Sequence, residues 1–372
     1  MRVAFSMIVI YLVAIFGFAP ARAAETIKVA AIFSKTGKAA LDNAMALNGV
    51  RFAVEELNQQ GGILGKKLTI FEFDNKSTAL GSRIAAKKAV KAGVITVFGA
   101  SWSSHSMAMA PIFQAAGIPM ISPVSTHPNL TLIGNYIFRI CYTDPFQGRI
   151  MANFAIKELE ARTAGVLINA NSKYSEGLAD SFIRKYRKLG GVTLFTENYL
   201  ENTADFTSIL NKIKKLKPDV IFHPGHTKES AFVIKQARNI GIMTPFIGGD
   251  GWNDSMYQIA GSAIEGSYYS THWHQDKPDQ QTRHFVKKYH RLSRVFDPGN
   301  PLAEDAVFLF ADAVRRANSL DRSKIRDAIA ETKNFVGITG NISFDKNGDP
   351  IKSAVILKFG TKSSEYLKTI DP

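Results

Sequence analysis

One unit recurs through this chain and limits what it can fold into. It is a short apolar run, then a turn of hydroxyl or small residues, then a stretch with helical spacing. Residues 94–128 show it twice over, VITVFGASWSSHSMAMAPIFQAAGIPMISPVSTHP. The apolar runs 94–98 and 118–121 read as strands, and 99–104 and 122–126 as the polar turns that follow them. In an open parallel sheet the turns after strands face the ligand crevice, and the amides that open the next helix can hold an anion. Two adjacent hydroxyl turns suit a carboxylate or a phosphate. The plainer reading is that these Ser and Thr residues only cap helices.

The unit continues on both sides of this segment. Residues 27–33 (IKVAAIF) form a strand ending in a polar turn, 44–58 a helix, 67–73 a strand and 82–92 an amphipathic helix. This is a β-α-β-α-β-α-β set, a parallel sheet wrapped by helices. Residues 136–143 (YIFRICYT) read as a further strand, and Asp144-Pro145 as a break where the chain can leave the first lobe. A second set follows, with strands at 164–169, 193–199, 219–223 and 246–248 and helices between them. The strand 264–271 ends at a second candidate crossing. Helices at 282–294, 303–317 and from Asp321 come next, and strands 340–344 and 354–359 are expected to form a hairpin through residues 345–349. There is no short-period repeat and no low-complexity linker.

Composition excludes several classes. Residues 1–23 carry Arg2, an apolar stretch and Ala21-Arg22-Ala23, the pattern of a secretory signal peptide cleaved after Ala23. Export to the periplasm is therefore expected. Cys141 is the only cysteine, so no intrachain disulfide can form, and its mid-strand position suits a small buried hydrophobe. The net charge of +14 is scattered over helix faces, with no aromatic-interleaved basic stripe or nucleic-acid motif. No G-x-G-x-x-G, G-x-S-x-G or H-E-x-x-H occurs, and the glycine-rich 61–67 segment lacks phosphate-loop spacing and precedes a strand. No cofactor or metal is expected.

Several residues are singled out as site candidates. Asp250 sits between glycines after a short strand, where it could face a crevice and meet an ammonium group; the alternative is an Asx turn or helix cap. Trp102 and Tyr174 fall in turns after strands, where an aromatic can pack on a ligand or on the lobe edge. His272-Trp273-His274 lacks a third ligand at regular spacing and reads as ordinary loop histidines rather than a metal site, and His223 and His226 are read with the same caution.

These pieces together resemble the type I periplasmic solute-binding proteins of ABC transporters, nearest the leucine/isoleucine/valine-binding branch. The resemblance rests on Gly61-Gly62-Ile63-Leu64-Gly65-Lys66, on 99–128 with Ile121-Ser122-Pro123, and on Tyr174-Ser175-Glu176-Gly177. Gln236-Ala237-Arg238-Asn239-Ile240-Gly241, Gly248-Gly249-Asp250-Gly251 and Phe344-Asp345-Lys346-Asn347-Gly348-Asp349 complete it. It implies an α/β fold of two doubly wound parallel-sheet lobes joined by three crossovers around a central ligand cleft. The lobes would be residues 24–143 with 274–349, and 144–273 with 350–372. It implies a monomeric receptor, not an enzyme, that delivers a small amino acid, branched-chain or related, to membrane permease subunits. Ser103, the Val124 backbone and Thr126 would hold the α-carboxylate and Asp250 the ammonium, while Tyr174 would close over the ligand. Trp102 could fill part of the side-chain pocket. The family's first-turn aromatic is replaced by the Ala40-Leu41-Asp42 region, a tyrosine by His226 and a glutamate by Asp250. These departures keep the amino-acid head group and leave other ligands open: an amide, urea or an aromatic carboxylate. A sensory subunit is the related alternative, and an exported enzyme using His226 with Asp250 the more distant one.

Overall fold

The computed structural model describes residues 26–294 and 297–372. The signal-peptide reading of 1–23 lies outside the described residues. The strands in chain order are β1 (Ile27–Phe33), β2 (Leu68–Asp74), β3 (Thr96–Gly99), β4 (Met120–Ser122), β5 (Ile137–Arg139), β6 (Thr163–Asn169) and β7 (Val192–Tyr199). There follow β8 (Val220–Phe222), β9 (Phe246–Gly248), β10 (Tyr268–Thr271), β11 (Phe335–Gly337), β12 (Gly340–Phe344), β13 (Pro350–Ile351), β14 (Ala354–Phe359) and β15 (Ser364–Ile370).

Two sheets organise the chain. The first has the order β2-β1-β3-β4-β5, with every pair parallel. The second runs β15-β14-β10-β9-β8-β6-β7, parallel from β10 to β7 and antiparallel at β10–β14–β15. Both sheets are covered on both faces, so their strands are near-continuous apolar runs such as Val29-Ala30-Ala31-Ile32 and Val220-Ile221-Phe222. One core joins β1 to the helices Ala40–Gln59 and Gly299–Ala317, and another packs Ala79–Lys91 and Ser103–Ala115 on the opposite face. Two further cores cover the second sheet. The helix pair on the first sheet approaches closely. A Cβ at Gly49 would lie 2.5 Å from the Asn300 carbonyl oxygen, so only glycine fits there.

The doubly wound sheets place the site. Each reverses its strand order, between β1 and β3 in one and between β6 and β8 in the other, and such switch points open a crevice at the carboxyl ends of the strands. The turns after β3, β4, β8 and β9 all open at these ends.

Three sequence expectations change here. The apolar run 136–143 is strand only over Ile137–Arg139. Beyond it Cys141 packs in the first lobe's core and Tyr142 in the second's, so these residues are apolar because the chain is crossing between lobes. Pro145 does not break structure. It occupies the first turn of the helix Asp144–Lys157, where its missing N–H costs nothing. The expected hairpin of 340–344 with 354–359 does not form. β12 turns through 345–349 onto β13, pairing Ser343 with Ile351, while β14 joins the second sheet beside β10.

Candidate functional site

Gly249-Asp250-Gly251 follows β9 and brings Asp250 to the crevice. A Cβ at Gly249 would sit 2.6 Å from the Tyr174 hydroxyl, and one at Gly251 2.6 Å from the Gly225 carbonyl oxygen. The flanking glycines are therefore what let this carboxyl approach. Asp250 Oδ1 accepts from Gln147 Nε2 at 2.9 Å, and Oδ2 meets His272 Nε2 at 2.9 Å. Burial holds the His272 pKa below its ordinary value, with Asp250 offsetting part of that shift, so His272 is a neutral N–H donor. Among the described residues no lysine or arginine pairs with Asp250, whose side chain is 3% exposed. A buried carboxylate with only neutral partners favours a cationic ligand group.

The opposite wall comes from the first sheet. Trp102 precedes the helix Ser103–Ala115, whose N-terminus lacks a side-chain cap bond and opens on the cavity through Ser103. Ser103 Oγ accepts from the His127 amide at 3.3 Å. Neighbouring hydroxyls stitch the two turns together. Ser122 Oγ donates to the Ala100 carbonyl at 2.8 Å, and Ser125 Oγ to the Ser101 carbonyl at 2.9 Å. The helix-end amides and the Ser103 hydroxyl are the groups here that could receive an anion, aided by the helix dipole.

Six of the seven residues expected from sequence surround one cavity of ≈ 70 Å³: Trp102, Ser103, Val124, Tyr174, His226 and Asp250. Thr126 is fully buried and not on the cavity wall; its side chain faces the buried Asp144 carboxyl, and its carbonyl accepts from the Asp144 amide at 2.9 Å. A buried water needs about 10–15 Å³ of such space, so the cavity suits a ligand of small-metabolite size. Three carboxyl groups, Asp42, Asp250 and Asp297, line it, and no lysine or arginine among the described residues does. No group of three potential metal ligands occurs among them either.

The lobes meet across the cavity. The Trp102 and His226 rings stack at 3.9 Å and 9°. Ser104 Oγ accepts from the Lys173 amide at 3.1 Å, and Lys38 pairs with Glu201. Burial drives the His226 pKa down to about 3, so the stacked imidazole is neutral. Tyr174, whose hydroxyl accepts from the Gly251 amide at 3.0 Å, lies 5.2 Å from the His226 ring. A stacked pair of this kind contributes about 1 kcal/mol beyond its area. Trp102→Ala should therefore speed ligand release roughly fivefold or more, read by stopped-flow fluorescence; an unchanged rate would remove the stack from closure.

Glu229 fixes His226 from behind. Its Oε1 accepts from the His226 amide at 2.8 Å and its Oε2 from Asn169 Nδ2 at 2.7 Å. Burial pushes the Glu229 pKa from 4.5 up to about 7. The folded state thus holds this proton more tightly than the unfolded chain. Its contribution is most favourable below pH 4.5 and is lost as pH rises through about 7. Glu229→Gln should flatten the stability–pH curve over that window by about 1–3 kcal/mol, seen in urea melts from pH 4 to 8.

Sequence reasoning missed His272, Asp42, Thr227 and Asp297 as wall residues. His272 follows β10 at its carboxyl end, so the rule that found Asp250 could have found it. Asp297 follows no strand and left no signal.

A two-lobed α/β receptor with a small closed cleft between its lobes is the class that this fold and cavity define. The chain belongs to the periplasmic binding protein family, whose model matches residues 26–363. It is 29% identical over 342 residues, 90% of each chain, to the leucine-, isoleucine-, valine-, threonine- and alanine-binding protein of Pseudomonas aeruginosa. Among solved structures it resembles the leucine-binding protein LivK of Thermotoga maritima, with a TM-score of 0.89 and 32% identity, covering 93% of this chain and 99% of that one. It also resembles the branched-chain amino acid transporter substrate-binding protein LivJ of Streptococcus pneumoniae in complex with isoleucine, with a TM-score of 0.88 and 29% identity, covering 94% and 100%.

Proposed function

We propose that this chain is an exported, monomeric receptor that captures a small α-amino acid, branched-chain or related, and delivers it to the permease of an ABC transporter. The observation that carries the reading is Asp250, a buried carboxylate with neutral partners, across one small cavity from an uncapped helix N-terminus at Ser103. An α-ammonium would meet Asp250. The α-carboxylate would meet Ser103, the Val124 backbone and the helix amides, with Thr126 shaping the turn. A ligand lacking an ammonium would leave Asp250 unpaired, at a cost of a few kcal/mol. Relatives whose names specify branched-chain amino acids support the same head group.

The lobes we assign are 24–143 with 274–349 and 144–273 with 350–372, the last passage running through residues 350–353. Cleavage after Ala23 would release the chain into the periplasm. The receptor performs no covalent chemistry, so its ligand should be recovered unchanged. The test is a thermal-shift and calorimetric screen of the refolded, ligand-stripped protein against amino acids, amides, urea and aromatic carboxylates, followed by mass spectrometry of the released ligand. Binding that raises the melting point by mass action, with an unaltered ligand and a preference for amino acids, is expected. A shift only with ligands lacking an ammonium, or a chemically converted ligand, would overturn the reading.

A further inference from the structure

The head-group contacts leave a second polar region of the cavity unused. Asp42 enters the helix Ala40–Gln59 from the first lobe, and its carboxyl meets the side chains of Thr227, in the second lobe, and Trp102. Asp297 lies close enough to be repelled by it, and its Oδ1 accepts from the Gly299 amide at 2.7 Å. Both line the same cavity as Asp250. Ser101, on the same wall and 5% exposed, carries a hydroxyl with no partner.

We infer that this region selects an amino acid whose side chain ends in a hydrogen-bond-donating nitrogen, received by Asp42 with Asp297 beside it, in preference to an aliphatic side chain. The inference rests on the amino-acid head group proposed above and departs from that reading in the side chain, which it takes as related to the branched-chain ligands and not one of them. Burial lifts both carboxyls to about 6, which marks them as poorly solvated in the closed cleft. An isobutyl or isopropyl group placed there would strip remaining water from two carboxyls and return no hydrogen bond. An amide, ammonium or guanidinium end would replace that water with N–H donors. Leu302 and Val124 on the walls suit the methylenes between the two ends.

Calorimetry on the stripped protein tests this with leucine, isoleucine and valine against asparagine, glutamine, 2,4-diaminobutyrate, ornithine and arginine. The best nitrogen-terminated ligand should bind at least tenfold tighter than the best branched-chain one. Asp42→Leu should erase that preference, and the near-isosteric Asp42→Asn should weaken a cationic side chain more than an amide one. Circular dichroism of both variants checks folding. Branched-chain ligands binding as tightly as the others to the wild type would overturn the inference while leaving the amino-acid reading standing. So would an unchanged ranking in both folded variants. Binding of des-amino carboxylates with no α-amino acid bound at all would overturn both, which separates the two failures.

Discussion

Asp250→Ala should reduce amino-acid affinity by a hundredfold or more while the protein still folds. The carboxylate is held by Gln147 and neutral His272, with no lysine or arginine paired to it among the described residues. A ligand ammonium would supply the missing charge in a space from which water is largely excluded. Losing one partner of such a pair costs about 2–5 kcal/mol, much of it from the charge left unpaired on the other side. In the variant that charge belongs to the ligand, so the loss falls on binding. The fold loses little, because Gln147 keeps its 2.9 Å bond to the Tyr142 hydroxyl. Tyr142 and Tyr174, whose pKa values are raised by burial first and by Asp250 second, stay neutral with or without the carboxylate. Calorimetry and an apo thermal melt decide the matter: affinity within tenfold of wild type would show that Asp250 does not meet the ligand. Asp250→Asn separates charge from shape, since it keeps a polar group of the same size and should lose most of the same affinity.

The strand–turn–helix rhythm was legible because each unit buries its own apolar stripe, and residues 94–128 show it without tertiary help. The lobe exchange was harder to see. Cys141 and Tyr142 read as strand because they are apolar, yet one packs in each lobe. Likewise 354–359 has strand character, but nothing local says that its partner is β10 in the other sheet rather than β12. The site followed the same division. The family resemblance supplied Ser103, Val124 and His226, whereas turns after strands located Trp102, Tyr174 and Asp250. They could not say which hydroxyl faces the cavity, since one step along a turn reverses a side chain. Ser122 and Ser125 therefore tie the turns together while Ser103 lines the cleft. Asp42 and Asp297 come to the cavity from the adjacent N-terminal ends of two packed helices, Ala40–Gln59 and Gly299–Ala317. Only the packing of distant segments brings them together.

The same coupling of distant segments gives the largest expected loss of stability. Arg139, at the end of β5, is fully buried. Its Nη1 donates to the Ser125 carbonyl at 2.8 Å and its Nη2 to Thr131 Oγ1 at 3.2 Å, while Nε pairs with Asp349 Oδ1 at 2.6 Å. Asp349 ends the turn that leads from β12 to β13, just before the chain crosses to the second sheet. One guanidinium thus joins the ligand-wall turn at 122–128 to the third crossing. Arg139→Met keeps the apolar stem but leaves Asp349 without its cation and the Ser125 carbonyl without that donor. Removing one member of a buried pair costs about 3–5 kcal/mol, and urea unfolding of the apo protein should show a loss of that size. Arg139→Met combined with Asp349→Leu should recover much of it, because the orphaned charge rather than the lost attraction dominates the penalty. A single-variant loss below about 1 kcal/mol would contradict the assignment. Affinity should separate the two roles of this residue. If Arg139 holds the Val124 turn in its binding geometry, the stability-recovered double variant will still bind ligand more weakly than wild type. If it serves the core alone, affinity will return with stability.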